Sequence, residues 1–123
     1  MASKSAEKKD ADNLAAVLAK IPQMFGAETS IGMRFHEIIM ETAPELKPRL
    51  WYGMPGYARS RSAPVLVFIR MDDYVTFGTT EKANIVLEEG ASDQLIPNAW
   101  FLTTELDEAT EARIAEIVRT AVG

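Results

Sequence analysis

Residues 57–78 read YARSRSAPVLVFIRMDDYVTFG, Tyr57 to Gly78, and the reading of this stretch decides the fold class. Val65 to Arg70 is almost uniformly apolar and lies between turn-formers, Ser62-Ala63-Pro64 before it and Met71-Asp72-Asp73 after it, as a central strand should. Tyr57 to Arg61 and Tyr74 to Gly78 read as its partners, the latter with Val75 and Phe77 alternating with Tyr74 and Thr76. A hairpin connection and a tight turn make the three strands antiparallel.

Working outward, Trp100 to Thr104 reads as a fourth strand, Asp93 to Asn98 as loop, and Glu81 to Glu88 as a short helix stopped by Gly90. Upstream, Leu14, Val17, Leu18 and Ile21 recur at helical spacing, with Asp10 or Asp12 as cap and Pro22 near the end. A second helix is expected from Thr29 or Ser30 to about Thr42, with Phe35, Ile38, Ile39 and Thr42 facing inward. Pro44 and Pro48 suggest a one-turn helical extension over Ala43 to Arg49. The last helix is the clearest: Asp107 caps it, and Ile114, Ile117, Val118, Ala121 and Val122 form its apolar stripe. The expected fold is α+β, an antiparallel sheet of about four strands with helices mainly on one face. Residues 1–11 are expected as a flexible, frayed leader that could hold the start of a helix, and 12–123 as a single domain, with Leu18, Phe35, Ile38, Val67, Phe77, Ile114, Ile117 and Val118 in its core.

Composition excludes several chemistries. The 123 residues are 47% hydrophobic and 25% charged, which suits one folded domain. With no cysteine there is no disulfide framework, thiolate zinc site or cysteine nucleophile, and one histidine cannot build a multi-histidine metal centre. The polar start MASKSAEKKDADN carries no export signal, and no apolar run approaches the roughly 20 residues of a membrane span, so the expected compartment is the cytoplasm. A net charge of −5 argues against nucleic acid and membrane partners. It also hides an asymmetry: Lys47, Arg49, Arg59, Arg61 and Arg70 share a segment without a carboxylate, so Lys47 to Arg70 carries +5 and the remainder −10.

No catalytic constellation stands out. Ser60 and Ser62 lack a nucleophile elbow, and Gly53 and Gly56 lack the rest of a phosphate loop. His36, with Arg34, Glu37 and Glu41, reads as a solvated helix face. The pairs Asp72/Asp73, Glu37/Glu41 and Glu108/Glu111 are explained by turn chemistry, helix dipoles and solubility. The densest cluster is Trp51-Tyr52-Gly53-Met54-Pro55-Gly56-Tyr57, three aromatics and a thioether inside the basic segment. Trp51, Tyr52, Met54, Tyr57, Arg59 and Arg61 are therefore the candidate ligand-binding residues. In a strand, Arg59 and Arg61 would share a face with Tyr57 and could hold one carboxylate or phosphate of a small anionic ligand. Burying the aromatic motif in a homodimer is the other use of such a surface, so both monomer and homodimer are open.

The run Leu50-Trp51-Tyr52-Gly53-Met54-Pro55-Gly56-Tyr57, followed by the apolar strand Val65 to Ile69, the Tyr74 to Gly78 strand and the Asp107 to Val122 helix, resembles the YdhG-like family of small bacterial domains of unknown function. The resemblance covers roughly residues 14–122 and rests chiefly on the Gly-Met-Pro run. It implies a compact α+β fold and, because some members are described as frataxin-like iron chaperones, iron as a cargo. Where many relatives carry a lysine and a histidine this chain has Asp72 and Tyr74, so no role tied to that histidine transfers. The resemblance implies no catalytic residue and no specific cofactor.

Overall fold

A computed structural model describes residues 4–87, 89–90, 95–103 and 105–123. Two helices come first, α1 (Lys4–Phe25) and α2 (Thr29–Thr42), linked by the 3-10 turn Gly26–Glu28. Five strands follow, β1 (Lys47–Trp51), β2 (Met54–Ala58), β3 (Val65–Met71), β4 (Val75–Thr79) and β5 (Ala99–Leu102), and then α3 (Glu108–Val122). Among the described residues the strands form one antiparallel sheet in the order β1-β2-β3-β4-β5. The expected α+β class with an antiparallel sheet is what the chain adopts, with five strands in place of about four.

The added strand is β1, where a helical turn was expected over Ala43 to Arg49. Pro48 does not prevent it, because β1 is an edge strand whose unpaired side needs no donor. The β1–β2 connection is the two-residue turn Tyr52-Gly53, with φ of 50° and 77°, flanked by the pair Trp51↔Met54. Positive φ at both turn residues gives the twist that a two-residue hairpin needs. β2 consequently ends at Ala58, and the expected strand from Tyr57 to Arg61 keeps only its first two residues.

Three helical expectations also change. The leader is helical from Lys4, where Lys8 pairs with Asp12 at 2.9 Å and the Arg61 guanidinium reaches the Ala6 carbonyl and Asp10. Pro22 does not end α1, which runs one further turn to bury Phe25. No helix forms over Glu81 to Leu87: Ala83 is buried there while Val86 and Leu87 are exposed, so helical spacing has no apolar face to satisfy. Glu88, Asp93 and Thr104 lie outside the described residues.

Strand register sorts the side chains. Tyr57, Val67, Ile69, Val75 and Phe77 share one face and pack with Val17, Ile21 and Phe25 of α1, Phe35, Ile38 and Ile39 of α2, and Ile114, Ile117 and Val118 of α3. Each such large side chain removed from water contributes roughly 1.5–3 kcal/mol before entropy is counted. Of the expected core, Leu18 is the exception: it is 37% exposed, because α1 turns Val17 and Ile21 inward and leaves Leu14 and Leu18 at the edge of its contact.

Both ends of α3 are tied down. The Asp107 carboxylate accepts from the Thr110 amide at 2.7 Å, which caps the first turn and lowers the Asp107 pKa. At the other end the Asn84 amide N–H donates to the Ala121 carbonyl and its side chain to that of Thr120, while Arg59 donates to the Val122 carbonyl.

Candidate functional site

The six residues singled out from sequence do not form one site. Trp51, Tyr52 and Met54 stand together at the β1–β2 turn, with the Trp51 ring edge-on to Tyr52 at 4.8 Å and inclined over Phe68 at 5.4 Å. Arg59 and Arg61 follow the opposite end of β2, in the connection to β3. Neither presents a converging pair of guanidinium groups to one anion: Arg59 serves the α3 C-terminus, and Arg61 is drawn to the Ala6 carbonyl and lies 3.7 Å from Asp10. Arg49 closes the same corner by donating to the Arg61 carbonyl at 2.7 Å.

Tyr57 points the other way, into the core, and is fully buried. A buried phenol needs a partner, and Tyr57 has His36, whose Nδ1 lies 2.8 Å from the hydroxyl. Burial raises the Tyr57 pKa, so the phenol keeps its proton. Burial also lowers the His36 pKa, against an opposing contribution from Glu37. His36 is thus not part of a solvated face. Its spacing held the signal: Gly32, His36, Ile39 and Ala43 follow helical periodicity, and all four are buried.

Of the carboxylate pairs named above, Glu37, Glu41, Glu111 and Asp72 are engaged by arginines. Arg34 bridges α2 and α3 by bonding Glu111 at 2.7 Å and Glu37 at 3.1 Å, with Glu41 at 3.6 Å, which raises the Arg34 pKa and lowers that of Glu111. Asp72 lies 3.3 Å from Arg70. Asp73 borders an open hollow with Glu28, Glu105, Glu111 and Arg34. Among the described residues no three acidic or histidine side chains gather as a metal site would require.

The better-formed concavity is elsewhere, between α3 and the chain that leads from β4 to β5. It encloses about 400 Å³, within the range of small-molecule pockets. Ile85, Val86, Leu87, Ile96, Pro97 and Trp100 supply apolar wall, and Ile117 and Ala121 of α3 supply the base. Thr79, Asn84, Arg113, Glu116 and Thr120 add polar groups, with Arg113 and Glu116 3.7 Å apart. The two Asn84 hydrogen bonds to α3 hold the start of the wall in place. None of these residues was among the six expected to bind a ligand, because the wall meets α3 only after a chain reversal that no local pattern records.

No family model, curated protein or solved structure matches this chain.

Proposed function

We propose that this chain is a YdhG-like binding domain of the cytoplasm whose cleft between α3 and residues 84–97 holds a small, largely apolar molecule. The cleft itself carries the reading. Ile85, Val86 and Ile96 line it while remaining 46%, 68% and 43% exposed, so apolar surface stays in water where a ligand could cover it. The polar side chains of α3, Arg113 and Glu116 among them, give such a ligand a place for one polar or charged group. The pocket offers binding and orientation, and its side chains suggest no nucleophile or general base. Iron as a cargo rests on the family resemblance alone.

A series of medium-chain carboxylates and alcohols, read by thermal shift, tests the proposal. A ligand that binds only the native state raises stability, by about 2.7 kcal/mol at a hundred times its Kd. The shift should disappear in an Ile85→Asp, Ile96→Asp double variant, which places charge in the apolar wall. Equal shifts in both proteins, or none with any chain length, would remove the cleft as the site. A shift with ferrous iron that an Asp73→Asn variant loses would move the function to the acidic hollow.

A further inference from the structure

The sheet's other face is a separate surface. By register, Arg49, Trp51, Phe68, Arg70 and Phe101 all project to it, opposite the side chains that meet the helices. Its rings form two platforms: half-buried Trp51, inclined over the buried Phe68, and Phe101 stacked on Tyr74 at 5.4 Å with 24° between planes. Phe101 is 61% and Tyr74 49% exposed. Arg70 lies between the platforms, two residues along β3 from Phe68 and level with Phe101 across β4.

Charge separates this face from the rest of the chain. Its strand positions carry cations and no carboxylate, although the whole chain is −5. Arg49 spends its hydrogen bonds on carbonyl oxygens and keeps its charge. Arg70 is ion-paired with Asp72, its Nε 3.3 Å from the carboxylate at the end of β3, so a phosphate would take that carboxylate's place beside the guanidinium.

Tyr52 supplies an independent observation. It occupies a positive-φ position of the β1–β2 turn, which glycine or asparagine adopts more cheaply, yet the residue is 85% exposed although its ring meets that of Trp51 edge-on. A strained backbone that holds an aromatic ring in water is explained when the ring has something to stack on.

We propose that this face binds single-stranded nucleic acid, with bases stacking on the exposed rings and phosphates meeting Arg49 and Arg70. Flat rings on an open sheet accept any base, and the interleaved cations follow the backbone. A second copy of the chain docked face to face would set these cations against themselves. A duplex keeps its bases stacked inside and cannot use the rings, and the acidic remainder of the protein repels its denser charge.

The test is fluorescence anisotropy with labelled oligothymidylate and oligouridylate of about eight nucleotides, at low and high salt, beside a duplex of equal length. Binding of either single strand, weakened by salt and stronger than that of the duplex, is expected. Phe101→Ser should weaken it by about five- to a hundred-fold, the value of one stacked base. Arg49→Gln with Arg70→Gln should flatten the salt dependence and leave circular dichroism unchanged. Tyr52→Asn should weaken binding while raising the melting temperature, a pairing that a purely structural tyrosine would not produce. The proposal is overturned by equal affinity for the duplex, by an absence of binding at low salt, or by indifference to all these variants. A dimer in sedimentation that Phe101→Ser dissolves would assign the face to a second copy instead.

Discussion

The two faces of the sheet reach burial by different means. On the helix side, Val67, Ile69 and Phe77 are sealed by side chains arriving from α1, α2 and α3. The opposite face seals itself: Trp51 leans across Gly56 to reach Phe68, and the Phe68 ring lies over Gly78. A Cβ on Gly56 would come within 2.8 Å of the Trp51 Cβ, and one on Gly78 would strike the Phe68 ring. The comparison shows that a sheet face without a covering helix can still exclude water from its centre when large rings lie flat, provided that the residues beneath them lack side chains. The second glycine of the Gly-Met-Pro-Gly run is also accounted for: a Cβ there would press on the Trp51 Cβ and the Val65 methyls.

The largest expected loss of stability lies on the helix side. Ile69→Ala should cost about 2–5 kcal/mol in urea unfolding, because a cavity remains among side chains from three helices. Phe101→Ala, at the exposed margin of the other face, should cost under about 1 kcal/mol. Equal losses would mean that the faces do not differ as described.

Gly78→Ala probes the position beneath the Phe68 ring. Alanine is ordinarily no worse than glycine in a strand, so a loss of about 1–3 kcal/mol would measure displacement of the Phe68 ring. Adding Phe68→Leu should recover part of that loss. If Gly78→Ala is neutral, the ring moves aside freely and the bare face is loosely packed.

The smallest effect separates the faces by pH. His36, the chain's sole histidine, is on the helix side, where burial lowers its pKa. Below about pH 6.5 the unfolded chain takes up a proton that the native protein resists. Stability is then lost as pH falls towards the native pKa, by at most about 1.4 kcal/mol per pH unit. Urea midpoints at pH 7.5 and 5.5 measure the loss. Replacing both partners, His36→Leu with Tyr57→Phe, should flatten that interval without leaving an orphaned donor.

Much of this architecture was legible from local pattern. The apolar run of β3 and the turn at Asp72-Asp73 are short-range signals, and so is the capped, striped α3, all of whose expected inward residues are buried. β1 was not legible, since Pro48 reads as a breaker until the strand is known to lie at an edge. Over Glu81 to Leu87, within the span where a helix is expected, none forms, because Ala83 packs into the core while Val86 and Leu87 stay exposed along the cleft, so the three share no single buried stripe. Tyr57, Arg59 and Arg61 looked like one face of a strand, but β2 ends before Arg59 and the expected alternation ends with it.

Local pattern alone sufficed for α1, α2, β3, β4, β5 and α3 and for their order, because helical and strand periodicity, caps and turn residues act over a few neighbouring positions. The sequence by itself also showed a net charge of +5 in one stretch of an otherwise acidic chain and excluded cysteine chemistry outright. Only the tertiary structure decided which of the two apolar sets on β3 became the core, since a period of two serves both faces alike until helices cover one. Long-range contact likewise dispersed the expected site, sending Tyr57 to His36, Arg59 to the end of α3 and Arg61 to α1, while Trp51 and Tyr52 stayed on the open face. Side-chain convergence depends on how distant segments pack, and that information is not contained in the spacing of residues along the chain.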